Sequence, residues 1–316
     1  MTTIPSIPAA SDQATRLRHL FNAVEQSQPA PRKRAKVVTI SSGKGGVGKT
    51  NLAVNLAIAL QSRGVRATVI DLDLGLANAD LLCGLNPAAR LDRAVASDAP
   101  LEELAVLAPG GFRLIPGSVG LTRGAGSEGS GGAAILSRLN ELDACTDVLL
   151  LDTGAGMGQI VRASLRAADL ALLVATPEPT SIADAYALLK VTTAGTSTGM
   201  SGASGAQFVP MLLLNQCAST AEAQEVHQRL LGVSQRFLGR EFPLLAAIPA
   251  DEALPRAVRA RRPLLLSEPS SPAALAIALA AEGVAGKLGF QVENRGGLSV
   301  DGLGRLTRLF TRRSER

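Results

Sequence analysis

The sequence predicts an α/β protein: a single doubly wound, mostly parallel sheet, with a helical arm ahead of it and an amphipathic helix behind it. Two observations carry this expectation. Six short apolar runs, each bounded by turn or breaker residues, alternate with stretches of helical pattern, as a parallel sheet covered on both faces requires. A glycine-rich loop, "GKGGVGK" at 43–49, joins the first run to the helical stretch behind it. Hydrophobic residues make up 46% of the chain but aromatics only 3%, with no Trp, so the core is built from Leu, Val, Ile and Ala.

Residues 11–26, "SDQATRLRHLFNAVEQ", read as a short helix. Ser11 suits an N-cap and Asp12 the first turn, and Ala14, Leu17, Leu20, Phe21 and Val24 share one face. Such a helix is too short to be stable alone; it orders on a partner or folds onto its own domain. The segment 1–26 is therefore read as an arm and 27–36, "SQPAPRKRAK", as a linker of Pro and basic residues. A domain spanning 37–290 follows. "KVVTI" is its first strand and "TNLAVNLAIALQSRG" its first helix, closed by Gly64. "ATVIDLD", "DVLLLD", "LALLVAT", "PMLLLN" and "FPLLAAIP" are the further strands. The glycine- and serine-rich stretches 117–132 and 193–206 read as mobile surface loops without chemistry.

Gly43-Lys44-Gly45-Gly46-Val47-Gly48-Lys49-Thr50 fits G-x-x-x-x-G-K-[ST] in full. In that loop backbone N–H groups surround phosphate oxygens, the lysine (Lys49) reaches the β/γ-phosphates, and the Thr50 hydroxyl binds Mg²⁺. The helix N-terminus behind it, with Asn51, adds its dipole. The same letters also read G-x-G-x-x-G with Asp71 at the distance of a ribose-binding acid. A dinucleotide site, however, gives no reason for Lys-Thr after the last glycine, nor for a second strand ending on Asp152, where a Walker B carboxylate belongs. A nucleoside triphosphate with Mg²⁺ is thus the expected ligand. Asp71 and Asp73, two apart at a strand end, are left to hold Mg²⁺ or its waters, to place the attacking water, or to cap the turn that follows.

With "KGGVGKT", "VIDLDLGLANAD" and "LLLDTGAG" in view, the chain resembles the MinD/ParA family of deviant Walker A ATPases. "ATPEPTSIADAYALLK", "GLAN" and the N-terminal "DQATRLR" resemble its FlhG-type branch (also called FleN or YlxH), which controls flagellar number and placement. The likeness covers essentially the whole chain. It implies that the triphosphate is ATP, that Lys44 crosses a homodimer interface to the partner's phosphates, that Asp73 supports hydrolysis, and that Asp71 and Asp152 assist Mg²⁺. It also implies that Asn215 contacts adenine and that the loop at Pro249 and Asp251 closes over the base. The signature Asp12, Gln13, Ala14, Leu17 and Arg18 is implied to stimulate FlhF, a signal-recognition-type GTPase. A flagellar transcription regulator or C-ring protein is a further partner the resemblance allows.

Residues 291–316 form the expected tail. Around a helix, Leu303, Leu306, Leu309 and Phe310 span about 120°, with Arg305, Arg308 and Arg312 opposite. Cations against a Leu/Phe face mark an interfacial helix for an anionic membrane surface, or one that packs on its own domain. The net charge of +5 also permits a ParA-type ATPase that coats DNA; the tail and the arm argue against it, and no specific nucleic acid is expected. No apolar run is long enough to span a bilayer and the first residues lack a secretory pattern. The expected location is the cytoplasm, with peripheral attachment to the inner membrane face when ATP is bound. Cys83, Cys145 and Cys217 form no CxxC pair, which argues against zinc, cluster or disulfide frameworks.

Overall fold

A computed structural model describes residues 34–73, 75–118, 130–193 and 210–291. The chain divides into two units, Met1–Arg34 and Ala35–Arg316. Of the first only Arg34 is described, so Asp12, Gln13, Leu17 and Arg18 lie outside the described residues. So do Leu303, Leu306, Leu309 and Phe310 of the tail.

The second unit begins with β1 (Lys36–Ser42), the glycine loop, α1 (Lys49–Gln61) and β2 (Ala67–Leu72). Three short helices follow, α2 (Ala79–Leu82), α3 (Leu91–Ser97) and α4 (Leu101–Leu104), then the hairpin β3 (Val106–Leu107) and β4 (Arg113–Ile115). After α5 (Ser130–Ser137) the chain alternates regularly: β5 (Val148–Ala155), α6 (Gln159–Ala167), β6 (Leu170–Ala175), α7 (Pro179–Thr193), β7 (Met211–Cys217), α8 (Thr220–Leu238) and β8 (Leu244–Pro249). Helices α9 (Ala253–Arg259), α10 (Leu264–Ser267) and α11 (Pro272–Lys287) end the described chain. All six predicted strands are present. The β3–β4 hairpin is the part that the pattern missed, because two and three residues are too few to show a period.

The sheet order is β3-β4-β2-β5-β1-β6-β7-β8, and every neighbouring pair is parallel except β3 with β4. Residues of β2, β5 and β6 are buried throughout or nearly so, as expected of strands with helices on both faces. On one face α1 and α11 share a cluster with Val38, Leu150, Leu172 and Leu213. α1 carries buried residues on every side, and the alanines of α11 let the two helices approach. Arg63 at the end of α1 clamps them, donating to Glu282 at 2.8 Å and to the Ala278 carbonyl at 3.2 Å. The other face carries two clusters, one around Leu173, Leu188 and Phe242, the other around Ile70, Ile135 and Leu151.

The expectation for the 117–132 loop changes at both of its ends, while 119–129 and 194–206 lie outside the described residues. Gly117 and Ser118 are buried, and a Cβ on Gly117 would lie 2.6 Å from the Asp71 carbonyl oxygen and 2.8 Å from Ala77 Cβ. That end of the 117–132 stretch is a close-packed contact with β2, not a surface loop, and residues 130–132 start α5. The three cysteines are unpaired thiols, and burial pushes Cys83 and Cys217 up to about 12. No helix among the described residues is long and apolar enough to cross a membrane.

Candidate active site

Parallel strands bring their C-terminal ends to one edge, and β1 lies where successive connections leave in opposite directions, the crevice that binds ligands in such sheets. The loop behind β1, the acids ending β2 and β5, Asn215 in β7 and Pro249 ending β8 all meet this edge.

The phosphate loop is held from two sides. A Cβ on Gly43 would lie 2.5 Å from both Cβ and the carbonyl oxygen of Asp184, so α7 leaves room for glycine only. Gly46 and Gly48 have φ of 77° and 93°, where a side chain is strained. Asn215, buried, donates from Nδ2 to the Val47 carbonyl at 2.8 Å. A Cβ on Gly48 would come within 2.5 Å of that same nitrogen. Asn215 therefore braces the loop with its amide. No side chain caps the start of α1, which leaves its first N–H groups for an anion.

The two lysines of the loop diverge. Lys49 is buried, and its Nζ donates to Ser42 Oγ at 2.8 Å. Ser42 in turn donates to the Lys44 carbonyl at 2.6 Å. Burial lowers the pKa of Lys49, while Asp152 and Asp73 hold the charge in place. Lys44 turns outward: its side chain is 37% exposed and pairs with Glu178, with Thr180 Oγ1 at 3.1 Å.

The carboxylates differ in what they meet. Asp71 and Asp152 are register partners on β2 and β5. Asp71 is buried and accepts from the N–H groups of Asp73, Asn78 and Ala79 at 3.0–3.1 Å. Burial raises its pKa to about 6, against those hydrogen bonds. It thus caps the turn and α2, the alternative the sequence left open, and keeps lone pairs for a further partner. Asp73 accepts from Gly75 and Leu76 at 3.3 and 3.1 Å in a turn of its own. A Cβ on Gly154 would sit 3.3 Å from its Oδ1, so the loops behind β2 and β5 abut. Asp152 is wholly buried, and neither oxygen has a hydrogen-bond partner. Burial first, and then the charge of Asp71, push its carboxyl well above the usual range. The Thr50 hydroxyl, which faces it without closing a full hydrogen bond, and Lys49 pull the other way.

A buried carboxylate without partners fits a cation or its waters, and Thr50 stands beside it with the hydroxyl that such a site needs. These residues fit Mg²⁺: Thr50 and Asp152 would hold it, with Asp71 behind them. Pro249 is buried at the end of β8. Asp251 is fully employed within the chain, accepting from Ala253 at 2.9 Å and Ala273 at 3.0 Å at the starts of α9 and α11. Ser42, Glu178, Thr180 and Asp184 escaped the sequence reading. Ser42 precedes the loop and the others sit in "PEPTSIAD", but nothing in their spacing showed which loop they would face.

The CobQ/CobB/MinD/ParA nucleotide binding domain family matches residues 38–264. The chain is 37% identical to the antiactivator FleN of Pseudomonas aeruginosa over 249 residues, covering 79% of this chain and 86% of that protein. It is 33% identical over 261 residues to the flagellum site-determining protein YlxH of Helicobacter pylori, covering 80% and 83%. Among solved structures, the septum site-determining protein MinD of Pyrococcus horikoshii, complexed with Mg-ADP, superposes with a TM-score of 0.64 at 25% identity, covering 81% of this chain and 98% of that one.

Proposed function

Because the chain belongs to the CobQ/CobB/MinD/ParA nucleotide-binding family, as an ATPase of its FlhG-type MinD/ParA branch, we propose that it is an ATP-dependent monomer–dimer switch that regulates the number and placement of flagella. The observation that carries this reading is the divergence of the two lysines. Lys49 serves the chain's own nucleotide from inside the site, while Lys44 stands at the surface of the same loop, where a second chain can present its phosphates. A cation added to an ATP enclosed between two chains acts in a low-dielectric site, where its charge counts for more than in water.

The division of labour among the residues follows from their surroundings. The loop amides and Lys49 hold the phosphates, and Asn215 both braces the loop and contacts the adenine, over which the loop at Pro249 and Asp251 closes. Thr50 and Asp152 would hold Mg²⁺, whose charge would offset that of the phosphate oxygens. Asp73, on the rim beside Gly154, positions and polarises the attacking water. Most of phosphoryl-transfer catalysis is such positioning and electrostatics. The arm stimulates the GTPase of FlhF through Gln13, and the tail brings the ATP-bound dimer to the anionic inner face of the membrane.

Three variants test the switch by light scattering with ATP. Lys44→Ala should bind nucleotide and remain monomeric, because its phosphate lies in the other chain. Lys49→Ala should lose nucleotide binding itself. Asp73→Ala should bind ATP and persist as a dimer, since hydrolysis ends the dimer; a monomeric Asp73→Ala that still binds ATP would sink the assignment.

A further inference from the structure

We infer that the groove between α5 and α6 is a docking site for an acidic segment of a partner protein. The groove encloses about 290 Å³ and is lined by Ala133 of α5 and by Gln159, Ile160, Arg162, Ala163 and Arg166 of α6. Its width is set by small residues. Gly132 admits Ile160 so closely that a Cβ there would lie 2.3 Å from Ile160 Cδ1, and Ala133 and Ala163 leave the space above empty. Val161, Ser164 and Leu165 of α6 face the core, which turns Arg162 and Arg166 outward.

The chemistry of this groove is one-sided. Its polar groups are two guanidinium ions and an amide over an apolar floor. Neither arginine meets a carboxylate among the described residues. Like charges four apart on a helix repel and weaken it, so among the described residues the pair is a cost without a compensating carboxylate. Guanidinium forks match carboxylates in bidentate geometry. Two of them one helical turn apart match two carboxylates three or four residues apart on another helix, with a small apolar residue between them over Ile160.

The openness of the groove selects the kind of ligand. Ala133, Gln159, Arg162 and Arg166 are all exposed, whereas small-molecule sites bury most of their ligand. A nucleic-acid backbone needs a basic stripe rather than two charges over an apolar floor. The occupant is therefore a protein segment, read by charge at the rim and by fit at the floor. It also sits close to the nucleotide site: α6 hangs from the strand that bears Asp152 by the short loop 156–158. The proposal depends on the ATPase fold and not on the dimer switch.

The test places a photo-crosslinking residue at Ala133 in the full-length chain, expressed in its own cells, and sequences the cross-linked peptide. That peptide is then synthesised and titrated, by fluorescence anisotropy, into the wild-type chain and into Arg162→Gln/Arg166→Gln, whose melting temperature checks the fold. The expected result is a segment with two acidic residues within four positions, bound at least about tenfold more weakly by the double variant and more weakly at raised salt. A product without paired acids, a nucleic-acid adduct, no product above background, or equal affinity for both chains would each overturn the proposal.

Discussion

Asp152 reads as a defect until the Mg²⁺ proposed for it is considered. Its carboxylate is fully buried with both oxygens unpaired, and an unpaired buried charge is among the costliest features a protein can carry. Replacing it by the neutral isostere should help the empty protein and ruin the loaded one. Asp152→Asn is expected to raise the melting temperature of the nucleotide-free chain by about 2–4 °C for each kcal/mol relieved. It should also lower Mg²⁺-dependent ATP hydrolysis by roughly a hundredfold or more. The pH dependence follows with the same sign. Asp71 and Asp152 have folded pKa values above the unfolded ones, about 6 for Asp71. The folded chain therefore binds more protons than the unfolded one at mildly acidic pH, and stability is lost as pH rises through about 6. Scanning fluorimetry of the empty protein should show a higher melting temperature at pH 5.5 than at 7.5, with a smaller difference in Asp152→Asn. At this scale the sequence showed acids at strand ends but not their partners: backbone N–H groups reach Asp71 and none reaches its register partner Asp152.

At the scale of elements, Asp251 joins two helices that are distant in sequence. One oxygen accepts from Ala253 and the other from Ala273, so a single side chain ties together the first turns of α9 and α11, the second of which Ser271 also caps. An N-cap contributes about 1 kcal/mol. Asp251→Ala is therefore expected to cost about 2 kcal/mol, read by urea denaturation, and Asp251→Asn less. A loss below about 0.5 kcal/mol would mean that the two helix starts are satisfied elsewhere. The arm poses the opposite case, an element with an apolar strip and a long polar linker. Glutamine can donate to and accept from a water or phosphate oxygen, and GTPases use it to orient the attacking water. A synthetic peptide of residues 1–28 should accelerate GTP hydrolysis by FlhF with no ATPase domain present, and Gln13→Ala should reduce the effect. Equal rates with and without the peptide would defeat this role.

For the whole molecule, the proposed switch would couple nucleotide state to location through the number of copies. Each buried Leu or Phe of a tail contributes about 1.5–3 kcal/mol at most, and each Arg near an anionic surface about 1. If the tail orders as a short helix, the cost offsets much of this, so one tail would bind weakly, while two on one dimer would gain from effective concentration. Truncation before Gly302, or Leu306→Glu with Phe310→Glu, should abolish co-sedimentation with anionic liposomes while leaving ATP binding intact. Raised salt should weaken the intact protein's attachment. If the truncated dimer still sediments with liposomes, the membrane determinant lies elsewhere.

The sequence by itself determined the α/β class, the six long strands, the phosphate loop and the acids at the sheet's edge. These are local matters: a period of apolar residues, a run of glycines that only one backbone path tolerates, and a charge at a strand's end each act over a few neighbours. Only the tertiary structure decided that Asn215 braces Val47 from 168 residues away, that Lys44 and Lys49 part company, and that Gly117 is a packing contact rather than a loop. It alone set Asp251 between two helices and left Arg162 and Arg166 side by side over an open groove. Each of these depends on which strand lies next to which, and that order, β5 between β1 and β2, is fixed by how the whole set of helices can bury its apolar faces at once.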